Sequence, residues 1–175
     1  LCVIHIVRDP RNVITSLKHH FSIADYEKAK EFLFDEKRIM LGNFDKKNFP
    51  LPTLLTSWKS HYLSWKQVQH NYLLIKYENL INKPDQEFRK ISNYLSKLLG
   101  EKISETKIEN SIKSNSFNNL QKQEATKGFG EFITNTNKKF FNLGPKNNWK
   151  NLLKTEMKEK IETHFKKEMK ELEYL

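Results

Sequence analysis

Leu1-Cys-Val-Ile-His-Ile-Val7, running on into Arg8-Asp9-Pro10-Arg11-Asn12-Val13-Ile14-Thr15-Ser16, decides the fold class of this 175-residue chain. Seven residues rich in branched apolar side chains have the pattern of a fully buried parallel strand, which needs a neighbour on each edge. The strand stops at Arg8. Asp9 offers a side-chain oxygen as a helix cap and Pro10 suits a first helical position, so the sequence predicts a helix over 10–21. This places Arg8 at the carboxyl end of a strand, where open α/β sheets bind their ligands. Free N–H groups and the positive dipole of a helix start favour a phosphate there. Arg8 can fork onto such an anion, and Ser16 can add a hydroxyl donor. The ordinary alternative is a salt-bridged Arg8 and a Ser16 bonded to its own helix backbone. Spacing alone does not separate the two.

Outward from this unit, residues 25–41 contain a helix marked by Tyr26, Ala29, Phe32 and Leu33, and 42–52 read as a loop. Leu54, Leu55, Trp58, His61, Tyr62, Trp65 and Val68 recur at spacings of three and four, the apolar stripe of a further helix. Tyr72-Leu-Leu-Ile-Lys76 is a second strand, closed by Tyr77-Glu78. Pro84 opens a helix with Phe88, Ile91, Tyr94, Leu95 and Leu98 on one face and Gly100 beyond its end. Two short helices are expected over 103–123, around Asn115-Ser116-Phe117. Residues 125–148 read as a long loop, and loops of that length often serve as lids or binding segments. Trp149 to Glu171 is helical, with Leu152, Leu153, Met157, Ile161, Phe165 and Met169 as its buried stripe. The alternation is that of an α/β fold with a parallel sheet, in one domain over 1–175. Two strands make a marginal sheet, so further strands are expected before Leu1. An uncovered edge on the first strand would be a route to self-association.

Composition narrows the classes. Basic residues number 31 and acidic 21, a net charge of +10. Only four of the basic residues are Arg (Arg8, Arg11, Arg38 and Arg89), and Arg rather than Lys makes rigid two-pronged contacts to phosphate. Lys pairs such as Lys46-Lys47, Lys138-Lys139 and Lys166-Lys167 are dispersed, without the aromatic-laced stripe of a nucleic-acid surface. No nucleic-acid partner is expected, although the positive field would steer a polyanionic nucleotide. Cys2 is the sole cysteine, which excludes an internal disulfide and a Cys-based zinc site. The His residues show no His-Glu-x-x-His spacing, so no metal is expected. No apolar run approaches the ~20 residues that span a bilayer, and a bacterial, cytoplasmic protein is expected.

Three stretches together resemble the PAPS-dependent sulfotransferases. Val7-Arg8-Asp9-Pro10-Arg11-Asn12-Val13 is similar to that family's 3′-phosphate segment: aromatic or Val, Arg, Asn or Asp, Pro, basic, Asp, Val, then Ser. Leu74-Ile75-Lys76-Tyr77-Glu78-Asn79-Leu80, with Lys83-Pro84 behind it, resembles the family's strand ending in Tyr-Glu-Asp-Leu. Phe140-Phe-Asn-Leu-Gly144, followed by Asn148-Trp149-Lys150-Asn151, resembles its late Arg-Lys-Gly…Gly-Asp-Trp-Lys-Asn segment. Ser116-Phe117 matches a Ser-Phe that follows two helices. The resemblance implies a partial three-layer, P-loop-like fold with parallel strands near 1–7 and 72–76, covering the carboxyl-terminal two-thirds of such a domain. It implies PAPS, or its product 3′-phosphoadenosine 5′-phosphate (PAP), as cofactor. Arg8 and Ser16 would hold the 3′-phosphate and Gly144 would donate its N–H to it. Tyr77 would sit by the adenine and Phe117 would pack on it.

Two departures bear on activity. Asn142-Leu143 stand where the family has Arg-Lys, which removes a guanidinium contact of ~1.5–3 kcal/mol. Lys138, Lys139 and Lys146 are the nearby cations that could compensate. The Lys-bearing phosphosulfate loop and the general base precede the 3′-phosphate segment in the family, so the catalytic residues are expected upstream of Leu1. The implied reaction is sulfuryl transfer from PAPS to a hydroxyl or amine of a small-molecule or glycan acceptor. The competing reading is a non-catalytic module that binds a 3′-phosphonucleotide or another anion.

Overall fold

A computed structural model describes residues 2–40, 52–129 and 139–175. In chain order the elements are β1 (Val3–Val7), α1 (Pro10–His20), α2 (Tyr26–Phe34), β2 (Ile39–Met40), β3 (Thr53–Leu54), α3 (Trp58–Lys66), β4 (Tyr72–Lys76), α4 (Tyr77–Asn82), α5 (Pro84–Leu99), α6 (Glu105–Ser114), α7 (Phe117–Lys127), α8 (Trp149–Leu152), α9 (Thr155–His164) and α10 (Lys166–Glu171). They group into two compact units. A strand unit comprises Leu1–Arg8 and His70–Asn151, and a helical unit comprises Asp9–Gln69 and Leu152–Leu175.

In the strand unit β1 and β4 pair in parallel, from Val3 opposite Tyr72 to Val7 opposite Lys76. Val3, His5 and Val7 point inward, while Ile4 and Ile6 are 36% and 52% exposed. The expectation of a fully buried strand is therefore corrected: the described residues cover one face of β1. An all-apolar run hides its period-two alternation, so the sequence could not reveal which face stays open. His5 accepts or donates at Nδ1 to the Tyr72 hydroxyl at 2.7 Å, which satisfies part of a buried imidazole. The Val3 N–H donates to the Asn71 carbonyl at 2.8 Å and to the Tyr94 hydroxyl at 3.2 Å, tying α5 to the start of the sheet. Pro84 at the head of α5 and the left-handed Gly100 after its last residue set that helix's length. Its predicted apolar face is only half-buried, and the residues it fully buries are Glu87 and Ser92.

The helical unit is built on Ile14, Ala29, Leu33, Met157, Ile161, Phe165 and Met169, none more than 6% exposed. Asp9 caps α1 by accepting from the Arg11 N–H, with Pro10 in the first turn, as the sequence predicts. Two helix readings are corrected. The stripe from Leu54 to Val68 is not one helix: Ser57 caps α3, Leu54 lies in β3, where it pairs with Ile39, and Val68 falls beyond the helix. Ser57 wins because its hydroxyl accepts the Ser60 N–H and stops the helix from starting earlier. The run 149–171 breaks into α8, α9 and α10, with extended backbone at Lys154 and a non-helical Phe165. Those breaks let Met157, Ile161, Phe165 and Met169 all reach the core, while Leu152 stays 37% exposed. The predicted loop 42–52 lies almost wholly outside the described residues. Among the described residues, no helix is long and apolar enough to cross a membrane.

Candidate functional site

Strand register alone brings the first two site residues together. Val7 is opposite Lys76 in a parallel pair, so the next residues, Arg8 and Tyr77, leave the sheet side by side at its carboxyl end. There the Arg8 guanidinium carbon lies 4.4 Å from the centre of the Tyr77 ring. A cation over an aromatic face at that distance is attracted to it, which restrains a long, otherwise mobile side chain. Tyr77 does not merely close the strand, as the sequence suggested: it opens α4, with Lys76 in the capping position. Both Arg8 and Tyr77 are half-buried. Nothing in the sequence flagged Tyr77 as a support for Arg8, because the contact depends on register between strands some 70 residues apart.

Phe117 and Gly144 form a second pair. Gly144 has φ +49, a left-handed backbone, and a Cβ placed on it would meet the Phe117 ring at 2.2 Å. Only glycine satisfies both conditions. The backbone from Phe140 to Asn142 is held by α7. The Glu124 carboxylate accepts the N–H of Phe140 at 2.5 Å and of Phe141 at 3.1 Å. Gln121 Nε2 donates to the carbonyl of Phe141 at 2.8 Å and reaches that of Asn142 at 3.3 Å. Phe117, Gln121 and Glu124 stand at i, i+4 and i+7, one helix face. The sequence reading missed Gln121 and Glu124, and that spacing was the available signal.

The remaining predicted residues are placed as follows. Ser16 is half-buried on α1, in the helical unit. Asn142 and Leu143, at the family's Arg-Lys positions, are exposed, as are Lys139 and Lys146; Lys138 lies outside the described residues.

The other arginines are occupied structurally. Arg11, 6% exposed, meets the Asp9 carboxylate through Nε and Nη2, Glu162 through Nη1 at 2.5 Å and the Tyr174 carbonyl at 2.8 Å. Burial opposes its charge, but Asp9 and Glu162 outweigh that and raise its pKa. Arg38 lies over the Phe32 ring at 4.0 Å, and Arg89 pairs with Glu105 on the surface. Of the four, Arg8 is the one at the carboxyl end of the sheet. A groove of about 540 Å³ between α2 and α9, lined by Lys30, Phe34, Glu156, Lys160 and His164, contains none of the candidate residues.

A family model for the sulfotransferase domain matches residues 1–173. Sulfotransferase 1B1 of the dog, Canis lupus familiaris, is 26% identical over 177 residues, covering 95% of this chain and 54% of that protein. Among solved structures, mouse sulfotransferase SULT7A1 complexed with PAP gives a TM-score of 0.69 at 19% identity, covering 96% of this chain and 58% of that one. Retinol dehydratase in complex with androsterone and inactive cofactor PAP gives 0.66 at 19% identity, covering 97% and 47%. The chain thus spans about half the length of the relatives it matches. At these identities the structural likeness speaks to fold, a mixed α/β architecture with parallel strands.

Proposed function

From the premise that this chain belongs to the sulfotransferase family, we propose that it forms the 3′-phosphonucleotide-binding part of a PAPS-dependent sulfotransferase acting on a hydroxyl or amine of a small-molecule or glycan acceptor. The observation that carries the reading is Arg8 stacked on Tyr77 at the carboxyl ends of two paired parallel strands. The donor set fits such a nucleotide. A guanidinium forks onto phosphate, Gly144 carries a main-chain N–H beside the Phe117 ring that packs where its Cβ would be, and Tyr77 and Phe117 are aromatic. Solved neighbours in complex with PAP, one with androsterone and one with retinol, support both the nucleotide and the acceptor class.

When bound, PAPS supplies the sulfuryl group. This chain's own share is binding and orientation. Arg8 neutralises phosphate charge and fixes its position, and Tyr77 limits the rotamers Arg8 samples. Gly144 adds a main-chain N–H, and the resemblance alone would give Ser16 a hydroxyl-donor role. In sulfuryl transfer, as in phosphoryl transfer, such positioning and fixed positive charge carry much of the catalysis. Calorimetric titration of the full-length protein with PAP and with 5′-AMP tests the reading. PAP is expected to bind at least about tenfold more tightly. Equal affinities would overturn the 3′-phosphate role.

A further inference from the structure

We infer that Gln121 and Glu124 are positioning residues, which hold the backbone leading to Gly144 in the conformation that receives the 3′-phosphate; this rests on the nucleotide reading above. The segment Phe140–Leu143 belongs to no helix or strand, and apart from the Asn142 N–H on the Phe140 carbonyl and the Lys146 N–H on the Leu143 carbonyl, both 2.9 Å, no ladder among the described residues answers its N–H and C=O groups. One face of α7 takes that part. Glu124 gives one carboxylate oxygen to each of two successive N–H groups, and Gln121 answers from the carbonyl side at Phe141 and Asn142. Phe117, on the same face, fills the space where a Gly144 side chain would stand. Three side chains of one helix therefore fix the path of the chain over Phe140–Gly144.

This matters because of what the segment lacks. With Asn142 and Leu143 exposed where relatives of this pattern carry Arg-Lys, the segment offers the phosphate a main-chain dipole at Gly144 and no guanidinium of its own. A mobile cation attracts an anion over a range of positions. A backbone N–H does so only along its bond, and an unrestrained segment must lose freedom on binding. The clamp supplies that order before the ligand arrives. A carboxylate on two amide donors is also the stronger, charge-assisted kind of hydrogen bond.

Glu124→Ala, Glu124→Gln and Gln121→Ala, each in the full-length protein, test this by titration with PAP and 5′-AMP and by hydrogen exchange at the Phe140 and Phe141 amides. For Glu124→Ala, PAP affinity should fall about tenfold while 5′-AMP affinity changes by less than about twofold. Both amides should exchange faster. Glu124→Gln, which keeps one acceptor oxygen without charge, should fall between Glu124→Ala and the parent, and Gln121→Ala should weaken PAP without exposing the two amides as strongly. Unchanged PAP affinity in Glu124→Ala overturns the positioning role. Parallel loss of both nucleotides also overturns it, as the mark of a general folding defect. A parent protein that does not distinguish PAP from 5′-AMP sinks the nucleotide reading instead, and the clamp's phosphate role falls with it.

Discussion

Ile14, Ala29, Leu33, Met157, Ile161, Phe165 and Met169 interlock in the helical unit, most of them with no exposed surface, whereas the buried apolar residues among the described part of the strand unit are Val3, Val7, Ile75 and Ile108. The strand unit makes up the difference with polar ties: His5 to Tyr72, Tyr94 to the start of β1, and Glu124 and Gln121 to the 140–142 backbone. Four of the five candidate nucleotide residues, Arg8, Tyr77, Phe117 and Gly144, belong to this unit with few buried apolar residues. Stability comes from apolar burial, while a polar ligand needs exposed donors, and one set of residues cannot serve both demands. Regions that bind tend to come from the less stable part of a fold.

Four measurements sharpen or break this contrast. The largest effect is expected in the helical core, where Phe165 has no exposed surface and packs against Phe34 and Trp58. Phe165→Ala should cost about 3–5 kcal/mol in urea unfolding, and Ile75→Ala in the strand unit less. If Ile75→Ala costs as much, the two units do not differ as described.

Arg11→Met comes next. It leaves Asp9, whose side chain is 7% exposed, with its helix-cap hydrogen bond but no cation, and frees Glu162, at 20%. A loss of about 3 kcal/mol is expected, the low end for breaking a buried pair because Glu162 still reaches water. Stability within about 0.5 kcal/mol of the parent would show that the cluster is incidental.

Third, Arg8→Ala should weaken PAP binding by ~1.5–3 kcal/mol, and Arg8→Lys should fail to restore it, because an ammonium cannot fork. Lys139→Ala should cost well under half as much. A lysine variant that loses binding while Arg8→Ala keeps it would move the phosphate clamp elsewhere.

The smallest effect concerns pH. His164 stacks on Phe34 at 4.0 Å, and partial desolvation of this otherwise exposed ring, followed by nearby Lys59, holds its pKa below the ordinary value of 6.5. The unfolded chain therefore binds the proton more readily than the folded one. This contribution to stability is present above the ordinary value and is lost as pH falls through the lowered one. The melting temperature should drop between about pH 8 and about pH 5, and less so in His164→Gln. Identical pH slopes in the two proteins would remove His164 from the account.

Much of the fold could be read before any tertiary structure. Asp9 and Pro10 start α1, Pro84 and Gly100 bound α5, and Ser116-Phe117 separates α6 from α7, because caps, prolines and left-handed glycines act within one turn of the chain. The two strands and the placement of Arg8 at a sheet end were legible for the same reason. Helix extent failed where a stripe of apolar residues ran past a cap, as at Ser57, since periodicity reports a face and not a boundary.

By itself, then, the sequence determined the strands β1 and β4, the starts of α1 and α5 and the break between α6 and α7, and that Arg8 stands at a strand end. Tertiary structure decided what each of them touches. Arg11 stands only three residues beyond Arg8, yet its partners Glu162 and Tyr174 lie 151 and 163 positions away. Tyr77 became the support of Arg8 through the β1–β4 register, and Glu124 became the holder of Phe140 and Phe141 across 16 and 17 positions. Local geometry is set by the few dihedrals between neighbours, which residue types bias directly. A contact between distant residues depends on every element that folds between them, and no single stretch of sequence encodes it.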